Sequence, residues 1–552
     1  MVCVVGPYHR ALPHDLHRDM DHHKGVERMT PTYLEWIKPS TETTVWAVIG
    51  VAVLLFISIL LGFLSKRKVA KGSFEEYLVG KRDIGPLVTG CALAASYLSG
   101  WAFCGSTGIV YSVGFSGMWF AGIWSLLGLV PCCWLAALKT REFSAKLGAA
   151  TLPETIGRRF ESKMLQTVIA IVMLYFLFMY SVGQLKAAGG VWYATTGLPP
   201  LWCLLLSIFI AWLYMVLGGY VGTQWSMAFQ GAFLGFVGAL LGIWALIWAG
   251  GFYEISAKLY MEPKVGPALI KLMRPELPQV GPTQLFSSIV GILATPVIFF
   301  TMAIGFPHNV SRFLGMGTLN KRGFWILITV VYLIAGVPIM LDCSSNGLVA
   351  RMIFGPQLLA IKPWMGDLAA PYLAFAIGGV PLMTLYVMGL FAAALSTLAG
   401  MVFIMSANIT RDVIKLWSPG TSDRSMLYLG YFLIALFLFL PFYWTLVNPP
   451  PLLSIFMGLA AMGLGAIFFF VTAVSYYWKR ATKWGALCCV LYGTGMSIYG
   501  GYAVLVKKTV GMGTLEWWLV IGCGVIYFLV SMVTKPPSKE LIDKLWSKSQ
   551  QA

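Results

Sequence analysis

Long apolar stretches separated by short polar segments run through almost the whole chain. A helix needs about 20 apolar residues to cross the hydrocarbon core of a bilayer. Thirteen stretches reach that length, so the pattern predicts an all-α polytopic membrane protein with about 13 transmembrane helices. The predicted spans are 45–65, 86–109, 115–138, 164–187, 200–219, 224–250, 286–306, 323–345, 380–406, 425–447, 452–478, 483–506 and 515–533.

Two predicted spans contain many small residues. Span 86–109 is rich in Gly and Ser, and span 380–406 contains the adjacent hydroxyl residues Ser396 and Thr397. Close helix packing would explain these residues. The alternative is a helix break that lines a cavity, because backbone polar groups in lipid need partners. Pro296 interrupts a further span, and breaks in two separated blocks favour an inverted-repeat transporter with its site near the membrane midplane.

The composition agrees with a membrane protein and excludes a soluble core. Hydrophobic residues make up 58% of the 552 positions, charged residues 11%, and the mean hydropathy is +0.77. The net charge of +17 does not indicate a nucleic-acid partner, because the basic residues lie in short loops between spans. The larger share lies on one side, which predicts an external N-terminus and a cytoplasmic C-terminus in the plasma or inner membrane.

Five of the six histidines lie within residues 1–28. Clustered imidazoles can bind a divalent ion. The alternatives are a simple tail, or upstream sequence before a native start at Met29. We expect deletion of residues 1–28 to leave the activity intact.

Several motifs, in order along the chain, resemble the sodium/solute symporter family, which includes proline, pantothenate, acetate and sialic acid symporters. The resemblance covers about residues 45–535. The motifs are SFEEYLVGKRDIG at 73–85, TLPETIGRRF at 151–160, Gln184 in YSVGQLKAAGG, Gly218-Gly219 with Trp225 and Gln230, Pro307-His308 with Arg312, and AAALST at 392–397 with Asp412.

The resemblance implies the five-plus-five inverted-repeat transporter fold with flanking helices. The transmembrane domain is then 45–535, with repeat one at about 86–250 and repeat two at about 286–478. Residues 1–44 form an extracellular tail and residues 536–552 a cytoplasmic tail.

The resemblance also implies one sodium site between the two repeats and no other cofactor. Sodium is a hard cation that prefers oxygen ligands. Its ligands are expected to be the carbonyls of Ala95, Leu98 and Ala393 and the side chains of Ser396 and Thr397. Family members with a second sodium resemble one another in an Asp on the sixth span, where this chain has Met227. A thioether is a poor ligand for a hard ion, so we expect one sodium per cycle.

By the same resemblance, a mostly apolar and aromatic set of residues lies beside the solute. It consists of Tyr97, Ala102, Phe103, Gln184, Phe299, Met302 and Ala303. Such a pocket suits a small organic solute better than a sugar, which needs many fixed polar partners. We expect a monocarboxylate-type anion; an amino acid or quaternary amine, proline-like or choline-like, remains the alternative.

Few ionisable residues lie within the spans. Asp342 and Lys186 lie near outer helix ends, where snorkelling to the interface is the simpler interpretation. The alternative is an outer vestibule in which Lys186 attracts an anion. His308 and Arg312 are interpreted as anchors at the end of span seven.

We therefore expect a secondary active transporter that couples inward sodium movement to solute uptake by alternating access. A membrane enzyme is not expected, because the spans hold too few His, Asp and Glu residues for acid–base or metal chemistry. A transporter-like sensor that acts with a separate partner remains a further alternative.

Overall fold

The computed structural model describes residues 39–66, 79–120, 125–450 and 452–547. These residues form an all-helical structure without a strand, and the parallel bridges Ile84–Met316 and Gly281–Gly511 are isolated. The predicted all-α class is confirmed. The predicted histidine tail lies outside the described residues.

We number the helices in chain order, and count a helix and its short π-helical or 3₁₀ continuation as one element. The helices are α1 (Thr41–Lys66), α2 (Pro86–Tyr97), α3 (Trp101–Phe120), α4 (125–147), α5 (Leu152–Arg159), α6 (Lys163–Thr196), α7 (Pro200–Ala249), α8 (Gly251–Tyr260), α9 (Gly266–Leu269), α10 (Gln284–Ser287), α11 (Ile289–Gly305), α12 (Pro307–Phe313), α13 (Lys321–Phe354), α14 (Met365–Lys415), α15 (Asp423–Val447), α16 (Leu453–Tyr477), α17 (Lys483–Lys507), α18 (Met512–Val533) and α19 (Lys539–Trp546). A 3₁₀ turn, Gln357–Ala360, precedes α14.

The described helices include nine that are long and apolar enough to cross a membrane, or up to eleven if each bent pair counts as one span. The count of thirteen is not confirmed. Predicted span 115–138 includes residues 121–124, which are not described. The apolar segment Pro200–Leu213 is too short to qualify, and the backbone stays helical from Pro200 to Ala249 where the sequence predicts a loop.

Polar capping residues explain where several helices begin. Thr151 accepts the Glu154 N–H at 3.1 Å, Ser162 the Leu165 N–H at 3.2 Å, and Asn320 the Gly323 N–H at 2.8 Å. Each cap satisfies a backbone N–H that has no partner within the helix. Gly197 and Gly250 end α6 and α7 in the left-handed conformation that glycine adopts without strain.

Bends occur at the same place in each predicted repeat. Helices α2 and α3 meet at 44°, and α11 and α12 meet at 43°. In both cases the bend falls in the first apolar segment of the repeat, as expected when two halves share one architecture.

Glycines allow the helices around these bends to approach closely. A Cβ on Gly231 of α7 would lie 3.0 Å from the Ala95 nitrogen, and one on Gly465 of α16 would lie 2.8 Å from the Met302 nitrogen. Small residues at such crossings are typical of membrane helices. Helix α7 packs against α2, α13 and α14, while α11 packs against α16 and α18.

Candidate functional site

The break between α2 and α3 frees backbone groups in the middle of the helix bundle. The Leu98 N–H makes the last helical bond of α2, to the Ala94 carbonyl at 2.8 Å, and Leu98 itself leaves helical geometry with ψ of 64°. Ser99 then accepts the Trp101 N–H on its side chain at 3.2 Å, and the helix resumes at Trp101. Carbonyls near the break can therefore face a ligand.

Three of the five predicted sodium ligands, Ala95, Ala393 and Ser396, come together where α2 meets α14. The Ser396 hydroxyl lies 3.4 Å from the Ala95 carbonyl oxygen and 3.0 Å from the Ala393 carbonyl oxygen. Ser396 has one hydroxyl proton, so it donates to one of these carbonyls at a time. All of these groups are buried, as is Leu98 at the break.

The Thr397 hydroxyl is the clearest sign of a ligand at this crossing. Thr397 is fully buried, and its Oγ1 has no hydrogen-bond partner in the described part of the chain. An unpartnered buried hydroxyl costs about 1–3 kcal/mol. A cation coordinated by this oxygen would remove that cost, so the donor set fits a hard monovalent ion.

Met227 of α7, the position for which the sequence predicts no second sodium ligand, lies beside α2. Its side chain is fully buried and packs against Ala92 and Ala95. A thioether there supplies an apolar contact and no hard oxygen.

Gln184 of α6 connects the break to the predicted solute side. Its Oε1 accepts the Gly100 N–H at 3.0 Å, while its Nε2 is buried without a partner among the described residues. A Cβ on Gly100 would lie 2.5 Å from the Ala187 Cβ, so this approach requires glycine. The free amide N–H groups of Gln184 are suited to an acceptor such as a carboxylate.

An aromatic cluster lies on the same side of the break. The Trp101 ring lies 6.0 Å from the Tyr180 ring and 6.0 Å from the Phe299 ring, and Phe120 lies 5.0 Å from Phe299. The Tyr180 and Ser99 hydroxyls are 3.4 Å apart. All four aromatic residues are buried.

The structure does not gather all seven predicted solute residues on one face. Gln184 and Phe299 flank the break with Trp101, and Met302 and Ala303 are buried on α11 beside Phe299. Tyr97 is directed toward Cys132 of α4.

Ala102 and Phe103 make contacts with α13 and α14. The Ala102 carbonyl accepts the Cys343 thiol at 3.0 Å, and the Phe103 ring packs 5.8 Å from Tyr386. The sequence reasoning missed Trp101, Phe120 and Tyr180. Trp101 directly follows the break, which is a signal that could have identified it.

His308 and Arg312 are not exposed anchors. His308 is buried between Tyr180 and Phe306, with ring centroids at 5.8 and 4.9 Å. The Arg312 Nε donates to Ser96 at 3.2 Å, one turn before the break. Both residues face the interior because the bend at Phe306 turns α12 inward against α2 and α14.

The snorkelling interpretation is wrong for Lys186 and Asp342. Lys186 is 1% exposed and forms a 2.7 Å ion pair with Asp367. Asp342 is 1% exposed and hydrogen-bonded to Asn346 and Tyr386. Lys186 is paired with Asp367 inside the bundle, and Asp342 has hydrogen-bond partners there, so neither side chain reaches the interface. Glu516, on predicted span 515–533, is a further fully buried acid.

A cleft near the predicted ion-site residues is lined by parts of four helices. Its walls include Leu152 of α5, Thr223 of α7, Arg312 of α12 and Gly400 of α14. Gly400 lies one turn beyond Thr397, so the cleft approaches the predicted ion site from one end of α14.

Known proteins resemble this chain over most of its length. The sodium:solute symporter family model matches residues 77–493. The high-affinity proline transporter PutP of Bacillus subtilis is 23% identical over 512 residues, covering 88% of this chain and 98% of that protein. The sodium/proline symporter of Escherichia coli is 25% identical over 514 residues, covering 88% and 93%.

A solved structure shares the fold. It is a sodium-coupled sialic acid symporter in a substrate-bound, outward-open state. The TM-score is 0.64 with 16% sequence identity, and the match covers 90% of this chain and 99% of that one.

Proposed function

The chain belongs to the sodium:solute symporter family, and we propose that it carries a small zwitterionic amino acid of the proline type together with one sodium ion. The family consists of sodium-coupled transporters, so the chain is a multi-pass membrane transporter and not an enzyme. Sodium is its coupling ion.

The observation that carries the ion site is the crossing of α2 and α14. The carbonyl oxygens of Ala95 and Ala393 lie within 3.4 Å of the Ser396 hydroxyl, and the buried Thr397 hydroxyl next to it has no partner among the described residues. We propose that these four groups and the Leu98 carbonyl bind sodium. Five neutral oxygens would hold a monovalent ion reversibly, as transport requires.

The position of this crossing suggests how the ion couples to movement. Ala95 belongs to the first predicted repeat, and Ser396 and Thr397 belong to the second. An ion bound to both stabilises one arrangement of the two repeats over others. Inward sodium movement also draws on the membrane potential, about 2.3 kcal/mol per charge per 100 mV.

Met227 supports a stoichiometry of one sodium. It fills the space beside Ala95 with an apolar side chain, where a second hard ion would need an oxygen ligand. The orientation with an external N-terminus remains part of the proposal.

A zwitterion fits the residues around the break. The unpartnered Gln184 amide suits a carboxylate. The faces of Trp101 and Phe299 suit the apolar body and the cationic amine. The proline-like substrate, which the sequence left as the alternative, fits the proline transporters among the relatives better than the monocarboxylate does.

The test is uptake into proteoliposomes that contain the purified full-length protein. L-Proline, choline, a short monocarboxylate and glucose would be compared under an inward sodium gradient and in potassium-only buffer. We expect sodium-driven accumulation of L-proline above the other three. Equal uptake of L-proline in potassium alone would contradict sodium coupling, and preference for the monocarboxylate would contradict the substrate class.

A further inference from the structure

Asp342 is a buried carboxylate that neither the ion site nor the solute site uses. It lies in the apolar part of α13 and is 1% exposed. Its Oδ1 accepts the Asn346 amide at 2.5 Å, and its Oδ2 lies 3.3 Å from the Tyr386 hydroxyl of α14. Within the described ranges, no Lys, Arg or His forms an ion pair with it.

An ionised carboxylate is expensive in this setting. Moving an unpaired charge into a low-dielectric interior costs far more than one hydrogen bond returns, so such groups are neutralised instead. Two neutral partners, an amide and a phenol, surround Asp342. The surroundings therefore favour a carboxylic acid over a carboxylate.

The number of hydrogen-bond donors at Tyr386 also favours a protonated Asp342. The Tyr386 oxygen lies 3.3 Å from both the Asp342 carboxyl and the Phe103 carbonyl oxygen. Both are acceptors when Asp342 is ionised, yet the phenol has a single proton to donate. If Asp342 is protonated, it donates to Tyr386, and Tyr386 donates to Phe103. Both contacts are then hydrogen bonds.

The close packing leaves no room for an organic ligand. A Cβ on Gly238 of α7 would lie 3.0 Å from the Phe103 ring and 3.7 Å from the Asp342 Cβ. A Cβ on Gly242 would lie 2.9 Å from the Asp342 nitrogen. A solute amine does not fit here, whereas a proton needs no volume.

The other titratable groups that face Asp342 are weak acids. They are Tyr386 from α14, Cys104 from α3 and Cys343 on α13 itself. Helix α7 contributes the glycines of the contact. The Lys186–Asp367 ion pair also acts on Cys104, and its two opposite charges are paired with each other.

We propose that Asp342 is a proton-binding site, distinct from the sodium and solute sites, that is loaded in the conformation described here. The Phe103 carbonyl belongs to the helix that resumes after the break. A movement that opens the break therefore also changes the contact between Phe103, Tyr386 and Asp342. Once water reaches the carboxyl group, its O–H bond breaks and the proton passes to a water molecule.

The sign of the pH effect follows from proton linkage. The conformation that binds the proton more tightly is favoured at low pH and lost as pH rises. Because the cycle must return to this conformation, turnover should fall at alkaline pH. Above the midpoint of the titration, the loss approaches about tenfold per pH unit for one proton.

Sodium-driven L-proline uptake between about pH 5.5 and pH 9 tests the proposal. This readout rests on the proposed function. We expect wild-type uptake to fall at high pH and Asp342→Asn to vary less than about twofold over the range. The control is Glu516→Gln, a second buried acid, which contacts Thr301 at 3.4 Å and should keep the wild-type profile. Identical pH profiles for wild type and Asp342→Asn would overturn the proposal.

Infrared spectroscopy of the purified full-length protein provides a readout that needs no solute. A carbonyl-stretch band of a protonated carboxyl group should disappear in Asp342→Asn, and should shift in Tyr386→Phe, which keeps the ring. Retention of every such band in Asp342→Asn would overturn the proposal. In the uptake assay, a lower Hill coefficient for sodium in Asp342→Asn with an unchanged pH profile would also overturn it. If wild type shows no sodium-driven uptake at any pH, the proposed function fails while the infrared result still decides the proton site.

Discussion

At the scale of single residues, Ser396 is one of the points at which the two predicted repeats meet. Its hydroxyl lies 3.4 Å from the Ala95 carbonyl oxygen of α2 and 3.0 Å from the Ala393 carbonyl oxygen of its own helix. One hydroxyl proton cannot satisfy both carbonyls at once. The crossing therefore has more acceptors than donors, which is the condition that a cation relieves.

Phe299 and Phe300 are adjacent residues with different surroundings, and they provide a matched test of the solute side. Phe299 packs against Trp101 and Phe120, whereas Phe300 packs against Phe469 of α16 at 5.5 Å. We expect Phe299→Leu to raise the KM for L-proline about tenfold, a loss of about 1.4 kcal/mol, because an aromatic face at the break is removed.

The same change at Phe300 should leave KM within about twofold, since that ring packs against Phe469 and not against Trp101. Uptake kinetics at saturating sodium measure both. An equal effect of the two substitutions would place the solute elsewhere.

The sodium ligands stay a prediction, which rests on short motifs that resemble the family and on hydroxyls next to small residues in an apolar helix. The solute side could be predicted only in part. Which face of α3 each side chain occupies depends on the π-helical turn Trp101–Ser106, and motif matching does not reveal that turn. Trp101 thus replaces Phe103 beside Phe299.

At the scale of elements, the short helix α5 fixes one end of α14. Asp412 of α14 accepts the Thr151 hydroxyl at 2.7 Å and the Gln166 amide at 2.8 Å. Glu154 of α5 pairs with Arg411 at 3.2 Å. The TLPETIGRRF motif therefore holds the helix that carries Ser396 and Thr397, a structural role that sequence reasoning did not assign.

Helix α19 contacts α5 through an aromatic ring. The Trp546 ring lies 4.9 Å from the Arg159 guanidinium. Burial lowers the pKa of Arg159 to about 10, so the residue keeps its charge at neutral pH and retains this cation–π contact.

The Lys186–Asp367 pair joins α6 to the start of α14, and its removal tests how charge is tolerated within the bundle. Both side chains are at least nine-tenths buried, and Asp367 also accepts the Leu453 N–H of α16 at 3.4 Å. We expect Lys186→Met to destabilise the protein by about 3–5 kcal/mol, because it leaves a buried carboxylate without its cation.

Adding Asp367→Asn to that variant should recover most of the lost stability, since the uncompensated charge is gone. The control is Lys271→Met, at an exposed pair 3.6 Å from Glu276, which should change stability by less than about 1 kcal/mol. Thermal unfolding of the purified protein measures all three. If Lys186→Met alone is as stable as Lys186→Met combined with Asp367→Asn, the pair does not stabilise the fold.

At the scale of the whole molecule, the bends at α2–α3 and α11–α12 fall in corresponding places of the two predicted repeats. The all-helical class and most of the spans could be predicted because long apolar stretches in lipid have few other solutions. The number of spans could not. Segment Pro200–Leu213 is continuous with the helix that follows, and hydropathy alone does not show where a helix continues between two apolar stretches.

The first helix of the described residues begins at Thr41, well after the histidines of residues 1–28. Deletion of these 28 residues should leave sodium-driven uptake within about twofold of wild type, because no predicted site residue and no described helix is removed. Uptake by proteoliposomes with matched protein content measures this. Loss of uptake in a truncated protein that inserts normally would support a role for the histidines in metal binding.

The central claim is that one sodium ion is bound jointly by α2 and α14, and the sodium dependence of uptake in Thr397 variants tests it most directly. We predict a Hill coefficient of about one for wild type, and a half-saturating sodium concentration raised about tenfold in Thr397→Ala, since one of five oxygens is lost. Thr397→Ser should remain close to wild type. Thr410→Ala, which removes a buried hydroxyl bonded to the Ser406 carbonyl of the same helix, should not change sodium dependence. Unchanged sodium dependence in Thr397→Ala, or a wild-type Hill coefficient clearly above one, would contradict the account.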